Sequence, residues 1–303
     1  MRRYIYFVFL LCCAVNLLLT SCVRQKYVVM DMVHHNPGEA MTELKFLDPY
    51  FLKKNEYGAK VFFLFEAAQF GIDWKSFDPS LFPDTTEAGR WVAEKAEIIH
   101  KKYDAAKKED LQVYCMLDML VLPSLLVEKH RTELTNEQGK LDISKPYTQL
   151  CIRELMKEMF ETFPQLDGLV IRTGETYLHD APYYVGNHPV QNGMYDHITL
   201  INLLREEVCE RRNKKLFYRT WDMGQLHSIP KYYLSVTDSI EPHPNLYFSI
   251  KHTMTDFWRS TITDPDMNYN MKKISRIVSG LFIHYILFSF FFFVFFFQAE
   301  DGI

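Results

Sequence analysis

The sequence predicts an α/β fold, an incomplete (β/α)8 TIM barrel with about six of the eight βα units. Three observations predict it. Apolar, β-rich runs alternate with amphipathic helical stretches, and polar residues follow the ends of successive apolar runs. A chain of 303 residues with 48% hydrophobic content can also bury one large core.

Six apolar runs are predicted to be parallel strands, because strands buried on both faces form short continuous apolar segments. We expect them at 27–33, 60–65, 111–117, 169–172, 215–219 and 246–250. Apolar residues at helical spacing predict helices at 86–104, 146–163 and 196–212. The polar segment 132–145 is predicted to be an inserted surface loop.

The first 22 residues have the pattern of a lipoprotein signal peptide. Arg2 and Arg3 precede an apolar run, which ends in Leu19-Thr20-Ser21-Cys22, a sequence that resembles a bacterial lipobox. We therefore expect lipidation at Cys22 and an exported protein anchored at the outer membrane or its periplasmic face. A membrane-spanning helix is the alternative.

The C-terminal end has an unusual composition. Residues 280–297 are almost wholly apolar, and residues 298–303 resemble a translated sequencing adapter. We predict a partial (β/α)8 domain at 23–279, a non-native tail at 280–303 and two missing βα units. A true C-terminal anchor is the alternative.

Charge and motif content exclude several functions. The net charge of -4 argues against a general nucleic-acid partner. The chain shows no glycine-rich phosphate loop and no metal-ligand spacing, so we expect no cofactor and no metal. Outside the signal, Cys115, Cys151 and Cys209 are predicted to be core residues, since they suggest no disulfide framework.

Glu175 is the leading catalytic candidate. It follows a predicted strand in the segment Arg172-Thr-Gly-Glu175-Thr-Tyr177, at the end of the strand where barrel enzymes keep their chemistry. Gly174 lets the backbone turn sharply, and aromatic neighbours could raise the pKa of the carboxyl group as a general acid requires. The alternative is a helix N-cap or a solvated loop residue.

Asp256 follows the sixth predicted strand and supplies the second carboxylate that sugar hydrolysis requires. A helix N-cap is the alternative. Arg172, Arg219 and Lys251 lie at the ends of three strands and could together hold one anionic group, although each could instead form a structural ion pair.

Further residues near the strand ends are predicted to bind substrate. Histidine can donate or accept hydrogen bonds to a sugar, tryptophan can stack on its ring, and a Pro-bounded loop can present an amide. The candidates are His34, His252, Trp221 and Asn187, with other aromatic residues mostly assigned to the core.

Several segments in order resemble the catalytic barrel of glycoside hydrolase family 67, the α-glucuronidases. They are Leu111-Gln-Val-Tyr-Cys-Met-Leu-Asp118, the strand before Glu175, Leu216-Phe-Tyr-Arg219-Thr-Trp221, and Phe248-Ser-Ile-Lys251-His-Thr-Met-Thr-Asp256-Phe257. The similarity spans roughly 57–259.

The resemblance implies roles for the same residues. Glu175 would be the general acid, Asp256 would help to activate water, and Arg172, Arg219 and Lys251 would hold a uronic acid carboxylate. It also implies inversion at the anomeric carbon, with catalytic carboxyl groups about 6.5 to 9.5 Å apart.

These observations together predict a lipoprotein glycoside hydrolase that acts on an oligosaccharide or polysaccharide and is attached to a membrane through Cys22. A barrel glycosidase for a neutral or N-acetylated sugar is one alternative. A non-catalytic glycan-binding lipoprotein is the other.

We expect this chain to be inactive and poorly folded, because an unclosed barrel exposes strand edges. Purified residues 23–279 should then melt without a sharp transition in a thermal scan followed by circular dichroism. A cooperative unfolding transition would contradict this expectation.

Overall fold

Six parallel strands form one central sheet in the computed structural model, which describes residues 30–31, 45–63, 66–178, 180–221, 226 and 228–250. The strands are β1 (Met30–Asp31), β2 (Ala59–Phe62), β3 (Gln112–Asp118), β5 (Gly168–Arg172), β7 (Lys215–Arg219) and β8 (Leu246–Ser249). They lie side by side in chain order, and every pairing is parallel.

This order distinguishes a barrel from a doubly wound sheet. A doubly wound sheet reverses its strand order at a switch point, whereas a barrel adds each strand beside the last. The described strands show no reversal. The predicted partial (β/α)8 fold is confirmed, and each of the six predicted strands overlaps an observed one.

The three predicted helices are also present. They are α2 (Glu87–Lys108), α5 (Pro146–Thr162) and α6 (Met194–Leu204), the last continued by a π-helical turn at Arg205–Glu210. Thr86 begins α2 by accepting a hydrogen bond from the Gly89 amide at 3.0 Å. Sequence analysis did not predict the shorter helices α1 (Pro49–Lys54), α3 (Ser124–Lys129), α4 (Arg131–Leu134) and α7 (Pro230–Thr237).

The two faces of the sheet pack against different material. Leu117, Leu169 and Ile171 point outward into the main apolar core beneath the helices. The alternate residues point the other way: Met116 pairs with Val170, and Val170 with Phe217, at the same level of the inner face. The period of two therefore directs every second residue of a strand toward the barrel interior.

The prediction of a surface loop at 132–145 is wrong in part. Residues 136–140 are exposed or half-buried, but Leu134, Leu141 and Ile143 are almost wholly buried in the main core. A bridge between Thr135 and Leu141 closes the excursion. Three apolar residues spaced among polar ones were enough to fold the segment onto the domain.

A second sheet, not predicted, lies beside the excursion. Its two antiparallel strands are β4 (Val121–Pro123) and β6 (Tyr184–Gly186), with Leu122 opposite Val185. They hold the segment after β3 next to the segment that follows Glu175.

The three cysteines outside the predicted signal are confirmed as core residues. All three are free and buried. Burial raises the pKa of each thiol to about 12, which keeps Cys115, Cys151 and Cys209 in the unreactive protonated form.

Within the described ranges, no helix is both long enough and apolar enough to cross a membrane. The predicted signal peptide, Cys22 and the tail at 280–303 lie outside the described residues.

A network of ion pairs joins α5 to the π-helical turn. Glu207, with a side chain only 3% exposed, contacts Arg153 at 2.5 Å and Arg212 at 2.9 Å. We expect Glu207→Gln to lower the free energy of local opening at α5 by about 1–3 kcal/mol, because Arg212 loses this charged partner and Arg153 keeps only Glu206. Amide hydrogen exchange in α5 measures the change, since it reports local opening without a cooperative global transition. Unaltered exchange rates would show that the network contributes no stability.

Candidate functional site

Three charged residues lie at the carboxyl ends of neighbouring strands. Asp118 pairs with Arg172 across β3 and β5. Ile171 pairs with Tyr218, which puts Arg172 and Arg219 at the same level of the adjacent strands β5 and β7. All three follow the alternation that turns Met116 and Val170 to the inner face, so they form its uppermost charged layer.

Arg172 is almost wholly buried in this layer, with 8% of its side chain exposed. Its guanidinium carbon lies 4.2 Å from the ring centre of Tyr177 and 5.0 Å from that of Phe63. Its Nε lies 2.7 Å from Oδ1 of Asp118, close enough for an ion pair although the two atoms are not aligned as a hydrogen bond. Two aromatic faces and one carboxylate therefore fix the guanidinium.

One end of this guanidinium remains available. Its Nη2 is buried, has no hydrogen-bond partner among the described residues, and lies 3.6 Å from Oε2 of Glu175. A buried charged donor without an acceptor is costly. This atom is therefore placed to donate to an added anionic group.

Asp118 is the buried acid of the site, at 3% exposure. Its Oδ2 accepts a hydrogen bond from the Tyr177 amide at 2.7 Å. Burial raises the pKa of Asp118, although the positive charge of Arg172 works in the opposite direction.

Glu175 lies on the turn after β5, as predicted. Gly174 adopts a left-handed conformation, with φ of 89°, which a residue without Cβ tolerates best. The Gly174 amide donates to Nδ1 of His188 at 2.9 Å, and the Tyr177 hydroxyl donates to Oε2 of Glu175 at 3.1 Å. Tyr177 thus contacts the Glu175 carboxylate through its hydroxyl group and not through its ring. The side chain of Glu175 is 41% exposed.

Arg219 is half-buried beside Arg172. Burial, followed by the positive charge of Arg172, lowers the pKa of Arg219 to about 10. Its Nη1 approaches Sδ of Met116 at 3.5 Å. Two guanidinium groups thus lie at one level of the sheet, and Asp118 and Glu175 supply two carboxylates beside them.

Two other candidates lie near this edge. Trp221, half-buried, follows β7, and its carbonyl accepts a hydrogen bond from the Thr173 hydroxyl at 2.8 Å. Asn187 uses its amide to bind backbone atoms of Leu141, accepting at 2.7 Å and donating at 3.1 Å. Asn187 therefore anchors the 132–145 excursion, and its role toward substrate stays a prediction.

The remaining predicted site residues, Asp256, Lys251, His252 and His34, lie outside the described residues. Their roles stay predictions. Over the part of the chain that is described, no group of three or more His, Cys, Asp and Glu side chains could hold a metal ion.

Three residues that contact Arg172 were given no site role from the sequence: Asp118, Tyr177 and Phe63. Asp118 was indicated as the polar residue after the third predicted strand, and Tyr177 as an aromatic neighbour of Glu175. Phe63 was not indicated, and the stacking of both rings on Arg172 depends on the tertiary fold.

No protein-family model matches the chain, and no curated protein matches it in sequence. Solved structures do match. One is a GH138 enzyme targeting pectin rhamnogalacturonan II, with a TM-score of 0.44, 16% identity, and coverage of 83% of this chain and 28% of that one. Another is a noncanonic maltogenic α-amylase from Thermotoga neapolitana, with a TM-score of 0.40, 12% identity, and coverage of 75% and 50%.

A third is a glycoside hydrolase family 5 enzyme from Prevotella bryantii B14, with a TM-score of 0.45, 9% identity, and coverage of 84% of this chain and 73% of that one. The chain thus spans half or less of the first two structures. None of the three is an α-glucuronidase, so that finer resemblance stays a prediction.

The site yields a stability prediction at Arg219. Because its pKa is lowered by burial and by Arg172, its charge weakens the fold at every pH below about 10. Arg219→Met, which keeps much of the apolar stem, should raise the free energy of local opening at β7 by about 1 kcal/mol. Amide hydrogen exchange in β7 at pH 7 measures this change.

Arg153→Met is the matched control, because Arg153 contacts Glu206 at 2.7 Å and Glu207 at 2.5 Å. Its loss should destabilise the protein. A destabilised Arg219→Met protein would mean that Arg219 is compensated by its neighbours after all.

Proposed function

We propose that the protein is a glycoside hydrolase for a glycan that carries an anionic sugar, a uronic acid, and that it acts with inversion of the anomeric centre. The observation that carries this proposal is the buried Nη2 of Arg172, which has no hydrogen-bond partner in the described chain and lies at the level of a second arginine, Arg219.

The chemistry of the two arginines favours a carboxylate as the group they bind. A guanidinium presents planar N–H donors that match the two oxygens of a carboxylate. A neutral sugar hydroxyl would give the Nη2 donor a weaker hydrogen bond than a carboxylate would, because hydrogen bonds between two charged groups are the stronger ones. Lys251, outside the described residues, would add a third cation from the next strand.

Glu175 would protonate the glycosidic oxygen of the leaving group, while Asp256 helps to remove a proton from a water molecule on the opposite face of the sugar. The proton that leaves Glu175 ends on the released hydroxyl, and water supplies the new hydroxyl at the anomeric carbon. Trp221 and His252 would contact the sugar ring and its hydroxyls. Export and a lipid anchor at Cys22 would bring this site to glycans outside the cytoplasm.

A specific observation supports the alternative of a non-catalytic glycan-binding protein. Nη2 of Arg172 lies 3.6 Å from Oε2 of Glu175, and the Tyr177 hydroxyl donates a hydrogen bond to the same oxygen. Such a residue could serve as an ion-pair partner alone. The alternative of a neutral-sugar glycosidase gains from the contacts of Arg172 with Asp118 and two rings, which could make that arginine structural.

Binding is the first test, since we expect this chain to be inactive. Glucuronate should bind at least about tenfold more tightly than glucose in isothermal titration, because a hydrogen bond to a charged group contributes roughly 1.5–3 kcal/mol. Arg172→Met should remove that preference. Equal affinity for the two sugars would favour the neutral-sugar alternative.

Turnover is the second test, measured on a full-length relative as release of the aryl group from uronides and neutral glycosides. In that protein the substitution that corresponds to Glu175→Gln should retain glucuronate binding but lower hydrolysis by about 100-fold or more. The substitution that corresponds to Glu161→Gln, at an exposed position on α5, is the matched control. Binding without turnover of any glycan by the unsubstituted full-length protein would favour the non-catalytic alternative.

A further inference from the structure

We propose that Asp118 is the positioning residue of this site, and that its two carboxylate oxygens hold the anion-binding arginine and the turn bearing Glu175 in one fixed relation. This inference rests on the proposed function for its consequence, but its geometry can be tested separately. In this proposal Asp118 contacts neither the glycosidic oxygen nor the attacking water molecule. It acts through Arg172 and Tyr177.

The two oxygens of Asp118 bind two different parts of the chain. Oδ1 lies 2.7 Å from Nε of Arg172, at the end of β5. Oδ2 accepts from the backbone amide of Tyr177 at 2.7 Å, two residues beyond Glu175. The Tyr177 ring then covers the Arg172 guanidinium at 4.2 Å, which closes a triangle of three contacts. A shift of the Asp118 carboxylate, the Arg172 guanidinium or Tyr177 would therefore disturb the other two groups.

The turn needs such an anchor because it has no regular secondary structure. Residues 173–178 lie outside any helix or strand. Thr173 is bound to the Trp221 carbonyl and Gly174 to His188, both on the approach to Glu175. Asp118 supplies the anchor on the far side. Glu175 is thus held between two fixed points of the backbone, which limits where its carboxylate can lie.

Asp118 and Glu175 lie against different nitrogens of the same guanidinium. Oδ1 of Asp118 is 2.7 Å from Nε of Arg172, and Oε2 of Glu175 is 3.6 Å from Nη2. Because the guanidinium is planar and its N–H groups have fixed directions, its attraction to the charge of Asp118 limits where Nη2 can lie. If Asp118 loses its charge, Arg172 keeps its aromatic neighbours but loses that attraction.

Protonation of Asp118 at low pH should stabilise the fold but weaken the binding site. The charged or titratable groups facing Asp118 are Arg172 and Arg219 from two strands, and Tyr177 and Glu175 from the turn. Because burial raises the pKa of Asp118, the folded protein takes up its proton at a higher pH than the unfolded chain does. Acidification through that window favours the fold, while it removes the charge that orients Arg172.

The experiment is a pH titration of the whole chain, labelled with 15N at arginine and tyrosine. The Arg172 Nε–H and Tyr177 amide signals should shift together with one apparent pKa above 3.8, because one carboxyl group contacts both. Asp118→Asn should abolish this shared titration and weaken glucuronate binding by about tenfold or more. Glu207→Gln, the loss of another buried acid paired with arginines, should leave the titration and glucuronate binding unchanged.

Two signals that titrate independently, or a shared titration that survives in Asp118→Asn, would overturn the proposal. Glu175→Gln removes the other carboxyl group that lies near both Arg172 and Tyr177, so a shared titration that persists in this variant decides the matter even if Asp118→Asn does not fold. The titration needs no ligand. If glucuronate does not bind the unsubstituted protein, the proposed function fails, while a shared titration would still establish the positioning role.

Discussion

The burial of Arg172 at the end of β5 is the constraint on which the rest of the site depends. A guanidinium cannot lose its charge near neutral pH, so a buried one requires compensation from its surroundings. Asp118 supplies opposite charge, and the rings of Phe63 and Tyr177 supply polarizable faces. Each of these comes from a different part of the chain, so the arginine draws the ends of β2, β3 and β5 into one cluster.

This cluster is possible because successive side chains along each strand point to opposite faces of the sheet. Outward residues of each strand build the apolar core beneath the helices, and that core can hold the strands in register without help from the inner face. The inner face can then carry buried charged side chains, which lower stability, at the carboxyl ends of its strands.

Sequence patterns predicted the features that depend on local composition. Continuous apolar runs such as 169–172 marked the strands, and helical spacing marked α2, α5 and α6, because burial on both faces leaves a strong pattern. They did not predict β4 and β6, each of three residues, since so short a strand leaves no period to detect. The packing of Leu141 and Ile143 was hidden by the polar residues around them.

The site was predictable only in part, because the contacts between its residues depend on the tertiary fold. Position at a strand end identified Glu175, Arg172 and Arg219, because parallel strands bring their carboxyl ends to one edge. The tertiary structure decides which of those groups form ion pairs or ring contacts with one another. The sequence suggested aromatic cover over Glu175, whereas the ring of Tyr177 covers Arg172 and only its hydroxyl reaches the carboxylate.

That difference bears on how Glu175 could be positioned for catalysis. Without ligand, its carboxylate lies 3.6 Å from Nη2 of Arg172 and accepts a hydrogen bond from the Tyr177 hydroxyl at 3.1 Å. Under the proposed function, the substrate carboxylate binds the same guanidinium and takes the place of Glu175 beside it, because a guanidinium matches the two oxygens of a carboxylate. A neutral sugar carries no carboxylate and could not compete with Glu175 for Arg172 in this way.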